Sequence, residues 1–361
     1  MTHDQFEVFS NQAVAACAVV YFLAVLAHFA QWAAGRKVPT QRVEGVEAMS
    51  ESYGARPAAS GSGSDSASYE PAAIGHAPDD ASGAAEARTD EAERMQQFGR
   101  IGVALTVVAA FVHFLALVAR GLASDPVRVP WGNMYEFVLA GTWVVIVGYL
   151  LLYRRYALSW LSPVVTSFVL VTLMVDVLLL YTPVVPLRDA LQSPWLVIHV
   201  VAAIIATGAF TLGGMCSVLY LVKERWLGSA PDGSPRSRGY LARVPELAVL
   251  DRVAYRTHAF GFPIWTFAAL IAGPIWAHYA WGRYWGWDPK EIWAFVTWVV
   301  YAAYLHARAT SGWKGRSAAI VALVGLATLW FNFVGINFFF GSGSQHSYAA
   351  PEPTAIIRPL E

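Results

Sequence analysis

Cysteine is nearly absent from this sequence, and its two copies, Cys17 and Cys216, each lie in an apolar run. No C-x-x-C pair occurs, which excludes the thiol-exchange chemistry of that motif. The C-x-x-C-H motif that attaches c-type haem is missing as well. A phosphate-binding G-x-x-x-x-G-K-[ST] loop is also absent, so nothing indicates an ATP-driven motor. The sequence contains no signal for a nucleic-acid partner either.

Charge is scarce too. Charged residues make up 14% of the 361 residues and hydrophobic residues 56%, with a mean hydropathy of +0.44. A soluble domain carries about 25% charged residues. Apolar runs of the roughly 20 residues that a helix needs to cross a bilayer occur at about 12–33, 99–120, 134–153, 157–181, 195–222, 257–279, 289–308 and 317–339. We therefore predict an all-α polytopic membrane protein with about eight transmembrane helices in contact with lipid.

The distribution of lysine and arginine predicts how these spans are oriented. Nineteen of the 25 basic residues fall in four alternate loops, at 36–100, 154–155, 223–256 and 308–316. The positive-inside rule assigns these loops to the cytoplasm. Both termini, the loops 121–133 and 182–194, and the stretch that follows 279 are then predicted to lie outside. An odd number of spans would break this alternation.

Residues 36–98 differ in composition from the rest of the chain. The part from 38 to 98 holds eleven acidic and four basic residues among many Ala, Ser and Gly. Such a segment buries too little apolar surface to fold. We predict a disordered cytoplasmic linker at 36–98, between an N-terminal transmembrane helix at 1–35 and a seven-helix body at 99–348, with an outer tail at 349–361. The first apolar run lacks a basic n-region, which favours a retained helix over a cleaved signal peptide.

The most unusual stretch is 281–293, which reads W-G-R-Y-W-G-W-D-P-K-E-I-W and holds four of the chain's 15 tryptophans. The rings offer flat apolar faces, and the glycines between them let the backbone approach a bound object closely. An aromatic belt at the membrane interface is the alternative, but a belt requires neither glycines nor this density of rings. We therefore predict an outer-face loop that binds a ligand.

Helix-start signals explain part of this stretch and of two other segments. Asp288 as N-cap, Pro289 at the first helical position and Glu291 two residues later form the usual pattern of a helix N-terminus. Asn133 and Glu136 form a similar capping pattern before the third predicted helix. Ser193 as N-cap and Pro194 at the first helical position form another before the fifth. The first predicted role of these acids is therefore to cap a helix N-terminus. No residue of the tryptophan stretch is predicted to act as a general base.

Two histidines and the tryptophan stretch are predicted to meet at the outer membrane face. His199 lies about one turn into the fifth predicted helix, and His346 lies in the outer tail. Two neutral imidazoles on opposite faces of a porphyrin complete six-coordinate iron. We therefore predict a haem site there, with these candidate residues: His199 and His346 as iron ligands, and Trp281, Trp285, Trp287 and Asp288 at the macrocycle.

A second haem, deeper in the membrane, is predicted at His306 near the inner end of the seventh helix. Its other axial ligand is left open between His113, His28 and a partner subunit. Taken singly, each of these histidines is more often structural, and an intramembrane histidine is costly unless it has a partner.

Beyond these features, the chain resembles the haem-handling proteins of cytochrome c biogenesis, in the CcsA/CcsB/ResC branch of the second maturation system. The stretch 281–293 matches the WWD signature W-G-x-x-W-x-W-D-P-K-E-x-W of that superfamily at every fixed position. Further matches lie at 113–136, 191–199, 250–263, 305–308 and 346–348. The resemblance covers about 97–348 and leaves out the first helix and the linker.

The resemblance implies a function and a set of partners. It implies a multi-pass protein of the bacterial plasma membrane that holds non-covalent haem b through His199 and His346, with His306 as the membrane histidine. It also implies a ResB-type membrane partner, with which the chain would form a cytochrome c haem lyase that presents haem to the C-x-x-C-H site of apocytochrome c. His258 and His278 are additional to the matched motifs and leave room for alternative ligation.

Two other functions stay open at this point. A haem exporter or chaperone of the CcmC type shares the WWD loop and the flanking histidines but does not attach haem. A b-type electron-transfer protein would cycle its haem with quinol and never hand it over, and would leave the tryptophan stretch unexplained.

Overall fold

The computed structural model of the chain describes residues 1–35, 79–185, 192–229, 239–310 and 312–340, with the side chains of 79–88 excepted. The described residues contain helices and no strands. Eight long helices follow one another: α1 (His3–Ala34), α2 (Asp79–Leu122), α3 (Met134–Tyr153), α4 (Leu158–Leu180), α5 (Pro194–Gly228), α6 (Leu247–Trp281), α7 (Pro289–Thr310) and α8 (Arg316–Phe339). This confirms the predicted all-α polytopic fold.

Seven of the eight helices are long and apolar enough to cross a membrane, and α7 is the exception among the described helices. Its geometry nevertheless matches that of a span. It begins beside the end of α6, and near its own end Arg308 forms two hydrogen bonds with Asp251, at the start of α6, at 2.6 and 3.0 Å. Halfway along, Trp298 Nε1 donates to Thr266 Oγ1 at 2.9 Å. The 22 residues of α7 therefore run the full height of the bundle, about 33 Å at ~1.5 Å per residue.

Helix α2 begins earlier than the sequence predicts. It starts at Asp79, inside the segment 36–98 that was predicted to be linker, so residues 79–98 belong to a helix. The physical reason is composition, since Ala, Glu, Arg and Gln form helices readily. The rest of the predicted linker, residues 36–78, lies outside the described residues.

Predicted helix starts agree with the structure. Asn133 Oδ1 accepts the Glu136 N–H at 2.8 Å, and Ser193 Oγ accepts the Trp195 N–H at 3.3 Å. Each side chain thus satisfies one of the backbone donors that a helix N-terminus leaves without a partner.

A buried ionic network joins four helices at the end of the bundle that was predicted to lie outside. Glu136, fully buried at the start of α3, accepts from Arg120 Nε at 3.2 Å and from Arg128 Nη1 at 2.7 Å. Arg120, at the end of α2, also contacts Glu7 of α1 at 3.5 Å and donates to the carbonyl of Thr182 after α4. Capping alone, the role predicted for Glu136, therefore describes only part of its environment.

The opposite end is held by bonds between loop segments and helix ends. Arg243, in a short helix between α5 and α6, donates to the carbonyl of Gly35 after α1. The hydroxyl of Tyr240, whose pKa is raised by burial, donates to the carbonyl of Trp160 at 2.7 Å. At each end of the bundle, N-terminal and C-terminal helix ends thus alternate along the chain. Eight helices that run alternately up and down, as predicted, require this arrangement.

Candidate functional site

A cavity of about 480 Å³ opens at the tryptophan end of the bundle. This volume falls in the range of small-molecule and cofactor sites, about 300–1,000 Å³. One wall is formed by a stripe of residues on α5, where residues four apart share a face. The stripe consists of His199, Ala203, Thr207 and Thr211. At ~1.5 Å per residue, the cavity therefore extends about 18 Å along α5 from His199 towards the middle of the helix.

His199 has a fixed orientation in the cavity wall. Its Nδ1–H donates to the carbonyl oxygen of Ala268 on α6 at 2.9 Å, since a carbonyl can only accept. Its ring lies nearly parallel to that of Trp276, with centroids 5.9 Å apart and planes 15° apart. With the proton on Nδ1, the neutral imidazole carries its lone pair on Nε2. Such a backbone bond at the far ring nitrogen is the usual orienting contact of a metal-binding histidine.

A π-helical segment of α6, Ala268–Ala272, provides the acceptor for His199. The Ala268 carbonyl also receives the backbone N–H of Gly273, as the π pattern requires. A Cβ at Gly273 would lie 3.2 Å from the His199 ring and 3.1 Å from the Ala268 oxygen, so a larger residue would fit only if these neighbours shifted by a few tenths of an ångström. Such segments occur often at functional sites.

The tryptophans of 281–293 have different environments. Trp281 and Trp285 line the cavity, and Trp281 packs edge-on against Trp276 with centroids 4.9 Å apart. Trp287 does not line the cavity: its side chain is 68% exposed, and its φ of 56° places a bulky residue in the left-handed region. It contacts Trp285 edge-on at 5.9 Å. Of the three predicted rings, the structure thus brings two to the cavity.

Asp288 and Glu291 have the capping role that the sequence predicted. Asp288 Oδ1 accepts the Lys290 N–H at 2.9 Å, and Glu291 Oε2 accepts the backbone N–H groups of Asp288 at 3.1 Å and Gly286 at 2.8 Å. These bonds fix the loop to the start of α7. Asp288 is buried and does not line the cavity, whereas Lys290 and Glu291 do.

Of the two other predicted iron ligands, the structure describes only His306, which does not line this cavity. His306 is exposed on α7, sixteen residues beyond Lys290 and therefore about 24 Å away along the helix. It cannot share an iron atom with His199. His346 lies outside the described residues. Within those residues, no three His, Cys, Asp or Glu side chains cluster as a metal site.

The remaining histidines of the membrane body lie away from the cavity. Both ring nitrogens of His113 have partners, the Leu139 carbonyl at 3.0 Å and the Tyr21 hydroxyl at 3.4 Å. His28 lies within 3.5 Å of Gln31 and Thr106. These contacts are those of structural histidines.

The two histidines outside the matched motifs also lack a place in the cavity wall. His278 is exposed and stacks on Tyr284, with centroids 4.3 Å apart. His258 is fully buried among Phe210, Tyr301 and Tyr304, and neither of its ring nitrogens has a hydrogen-bond partner.

Several polar residues of the cavity were not predicted as site residues. Arg128, Asn133, Thr211 and Asn332 line it, and each has a buried side-chain atom without a hydrogen-bond partner. The sequence predicts Asn133 as a helix cap within one of the matched stretches, and Asn332 lies inside the apolar run 317–339 without any pattern around it. The one available signal was that polar side chains interrupt apolar helices.

The cavity has the chemical features that a haem requires. It has aromatic faces, small residues that leave space between helices, and a histidine with a fixed tautomer. Residues of its lining also carry buried polar atoms without hydrogen-bond partners, which native proteins contain only rarely.

Comparison with known proteins gives a consistent family. The profile described as cytochrome C assembly protein matches residues 131–342. A "Cytochrome c biogenesis protein CcsA" from Guillardia theta is 34% identical over 262 residues, which cover 69% of this chain and 85% of the relative. A protein of the same name from Synechococcus sp. strain JA-2-3B'a(2-13) is 32% identical over 316 residues, 71% of this chain and 87% of the relative. No solved structure shows significant similarity to the chain.

Proposed function

The chain belongs to the cytochrome c assembly protein family and has a role in cytochrome c biogenesis, and from this premise we propose that it is the haem-binding subunit of a cytochrome c synthase. The observation that carries the proposal is the pair of contacts at His199. Its Nδ1 is bonded to Ala268 and its ring is stacked on Trp276, in the wall of a cavity of suitable size. A histidine held in this way is ready to bind a metal through Nε2.

Each part of the cavity has a defined task in this proposal. His199 would be one ligand of the haem iron, and His346, which lies outside the described residues, would be the other. Trp281 and Trp285 hold the macrocycle, while the apolar walls exclude water. The bound haem supplies two vinyl groups, and each accepts one cysteine S–H of apocytochrome c to form a C–S and a C–H bond. The chain positions the haem for this addition.

A second haem would bind at His306. The exposed position of His306, near the opposite end of the bundle from the cavity, favours a second axial ligand from another subunit. We propose a ResB-type membrane protein as that partner. The tryptophan end would face outside and the Arg308 end the cytoplasm, because the basic loops lie at the latter. In a bacterium this arrangement places the chain in the plasma membrane with both termini outside.

The proposal is tested by the spectrum of the purified chain, with and without its partner. The chain with its partner should give a low-spin bis-histidine spectrum, and His199→Ala should lose the part of it that comes from the cavity haem or make that part depend on added imidazole. His346→Ala should have the same effect. His278→Ala is the matched control, because His278 is a histidine of the same region outside the cavity, and it should leave the spectrum unchanged. Unchanged spectra in both ligand variants would refute the assignment.

Synthesis and chaperoning are separated by a second experiment. Cells without another maturation system receive the chain and a ResB-type partner, and covalent cytochrome c is measured. Its formation supports the synthase. Failure despite normal haem binding favours a chaperone of the CcmC type, and haem that cycles with quinol without transfer favours electron transport.

A further inference from the structure

Buried polar atoms without hydrogen-bond partners are concentrated around the cavity. The described part of the chain contains twelve such side-chain atoms. Five belong to residues that line the cavity: Arg128 Nε, Asn133 Nδ2, Thr211 Oγ1, Trp285 Nε1 and Asn332 Oδ1. A buried polar group without a partner is costly, and native proteins contain few of them. Their concentration around one cavity indicates a ligand that bonds to them.

Three of the five atoms are N–H donors from segments that meet at the tryptophan end. Arg128 precedes α3, Asn133 is the N-cap of α3, and Trp285 lies in the loop between α6 and α7. Thr211 lies deeper, on α5, and Asn332 lies in the π-helical segment of α8. The donors without partners therefore belong to residues around the outer end of the cavity, whereas its deeper walls are mostly apolar.

Arg128 shows that these donors are held in place. Four of its five N–H groups have acceptors: two bonds go to Glu136, at 2.7 and 3.2 Å, and the others go to the carbonyls of Val129 at 3.3 Å and Val185 at 3.4 Å. The fifth, Nε–H, has none, although the side chain is only 9% exposed. The bonds to the two terminal nitrogens thus fix the guanidinium, and Nε–H remains as a charge-assisted donor.

The Asn133 amide is fixed in the same manner. Its Oδ1 accepts the Glu136 N–H at 2.8 Å as the helix cap, which leaves the Nδ2 hydrogens as the donors on its other side. Lys290 is the other basic residue of the lining, and it interacts with the carboxylate of Asp288. The Glu291 carboxylate is already bonded to the backbone of the tryptophan loop.

We propose that Arg128, Asn133 and Trp285 form a carboxylate subsite, which holds the propionates of the haem. The inference rests on the proposed function and adds an orientation to it. Donors without acceptors select an anionic oxygen ligand. Haem carries its two carboxylates on one edge, so this edge lies between the start of α3 and Trp285, and the remaining edges are left to Trp281 and the deeper walls. A lipid phosphate shares the same chemistry, and the experiment must distinguish the two.

The test compares haem with haem dimethyl ester, which has the same ring and no free carboxylates. Both are titrated into the purified full-length chain, and dissociation constants are read from the Soret band. The unsubstituted chain should bind haem about tenfold or more tightly than the ester.

Asn133→Asp is the decisive variant because aspartate caps a helix as well as asparagine does. It replaces the Nδ2 donor with a charged oxygen, so haem should bind about tenfold more weakly and the ester with unchanged affinity. Ser193→Asp is the matched control: it also places an aspartate at an N-cap of the same bundle end, outside the cavity lining. It should change neither affinity. Trp285→Phe, which removes Nε1–H and keeps an aromatic ring, should also reduce the preference for haem over the ester.

The outcomes separate the two proposals. If the chain binds neither compound, the proposed function fails. If it binds both equally, haem binding stands and the carboxylate subsite is overturned. Equal binding, together with anionic lipid that co-purifies with the chain but not with Asn133→Asp, would assign the donors to a lipid phosphate. A loss of affinity for both compounds in Asn133→Asp would also overturn the subsite, because it would indicate a purely structural role.

Discussion

His199 of α5 and Ala268 of α6 are joined by a hydrogen bond of 2.9 Å between an imidazole N–H and a backbone carbonyl. The bond connects the helix that carries the candidate ligand to the helix that leads into the tryptophan loop. Any change in the π-helical segment around Ala268 is therefore transmitted directly to the orientation of the imidazole.

Gly273→Ala should disturb this orientation. The added Cβ would lie 3.2 Å from the His199 ring and 3.1 Å from the Ala268 oxygen, closer than most Cβ contacts. We expect haem affinity to fall about tenfold, as for the loss of one orienting hydrogen bond, measured by Soret titration. Gly228→Ala is the control, because a Cβ there meets nothing within 4 Å. Equal affinity in the two variants would contradict the role of the Ala268 bond.

Two buried carboxylates should respond in opposite ways to neutralisation. Glu136→Gln removes the charge between Arg120 and Arg128 and should cost about 3 kcal/mol, because it leaves buried cations uncompensated. Asp176 is fully buried, and neither of its oxygens has a hydrogen-bond partner. Asp176→Asn should therefore leave stability unchanged or raise it. The stability of both variants is measured as the SDS concentration at which half of the helix content, followed by circular dichroism, is lost. A similar loss of stability in the two variants would contradict this prediction.

His258 and His113 form a second contrasting pair. His258→Leu replaces a buried ring whose nitrogens have no partners, so stability should be retained or increased. His113→Leu removes the partner of the Leu139 carbonyl and the Tyr21 hydroxyl and should cost roughly 1–2 kcal/mol. Thermal unfolding in detergent gives both values. A loss of haem from the His258 variant alone would instead show that His258 is a ligand.

The position of α7 depends on Asp251. Its carboxylate accepts two bonds from Arg308 and one from the Gly315 N–H at 3.2 Å. Asp251→Ala should cost about 3 kcal/mol, because both partners are largely buried. Glu224→Ala, which removes a 3.9 Å contact to the exposed Arg316, should cost less than about 1 kcal/mol. The same SDS titration checks both, and equal costs would argue that α7 is held by its apolar contacts.

Much of the fold could be predicted because it follows from local rules. Apolar length predicts the helices, and Ser193, Asn133 and Asp288 signal their starts through side-chain bonds within three residues. Alternation of basic loops predicts which helix ends lie together. The start of α2 at Asp79 was not predicted, because a segment with few apolar residues can still have a high helix propensity.

The candidate site was predictable only in part, since it depends on contacts between distant segments. The sequence indicated His199 and the tryptophans, yet it could not show that Trp285 lines a cavity while Trp287 is exposed. That difference arises from the left-handed backbone at Trp287. Arg128 was likewise not predicted, because its role depends on contacts with Glu136 and with the carbonyls of Val129 and Val185. These contacts bind both terminal nitrogens of the guanidinium and leave Nε without an acceptor.

The π-helical segments at Asp176–Leu180, Ala268–Ala272 and Phe331–Gly335 have a consequence for how this protein tolerates changes in length. Each contains one residue more than an α-helical turn with the same number of hydrogen bonds. Deleting one residue from 268–272 would let α6 continue as a regular helix, and because the extra residue is accommodated within a single wide turn, the residues from Gly273 onwards would keep roughly the same facing. Trp276 and Trp281 would then stay on the side of His199, whereas the wide turn that provides the Ala268 acceptor would be lost.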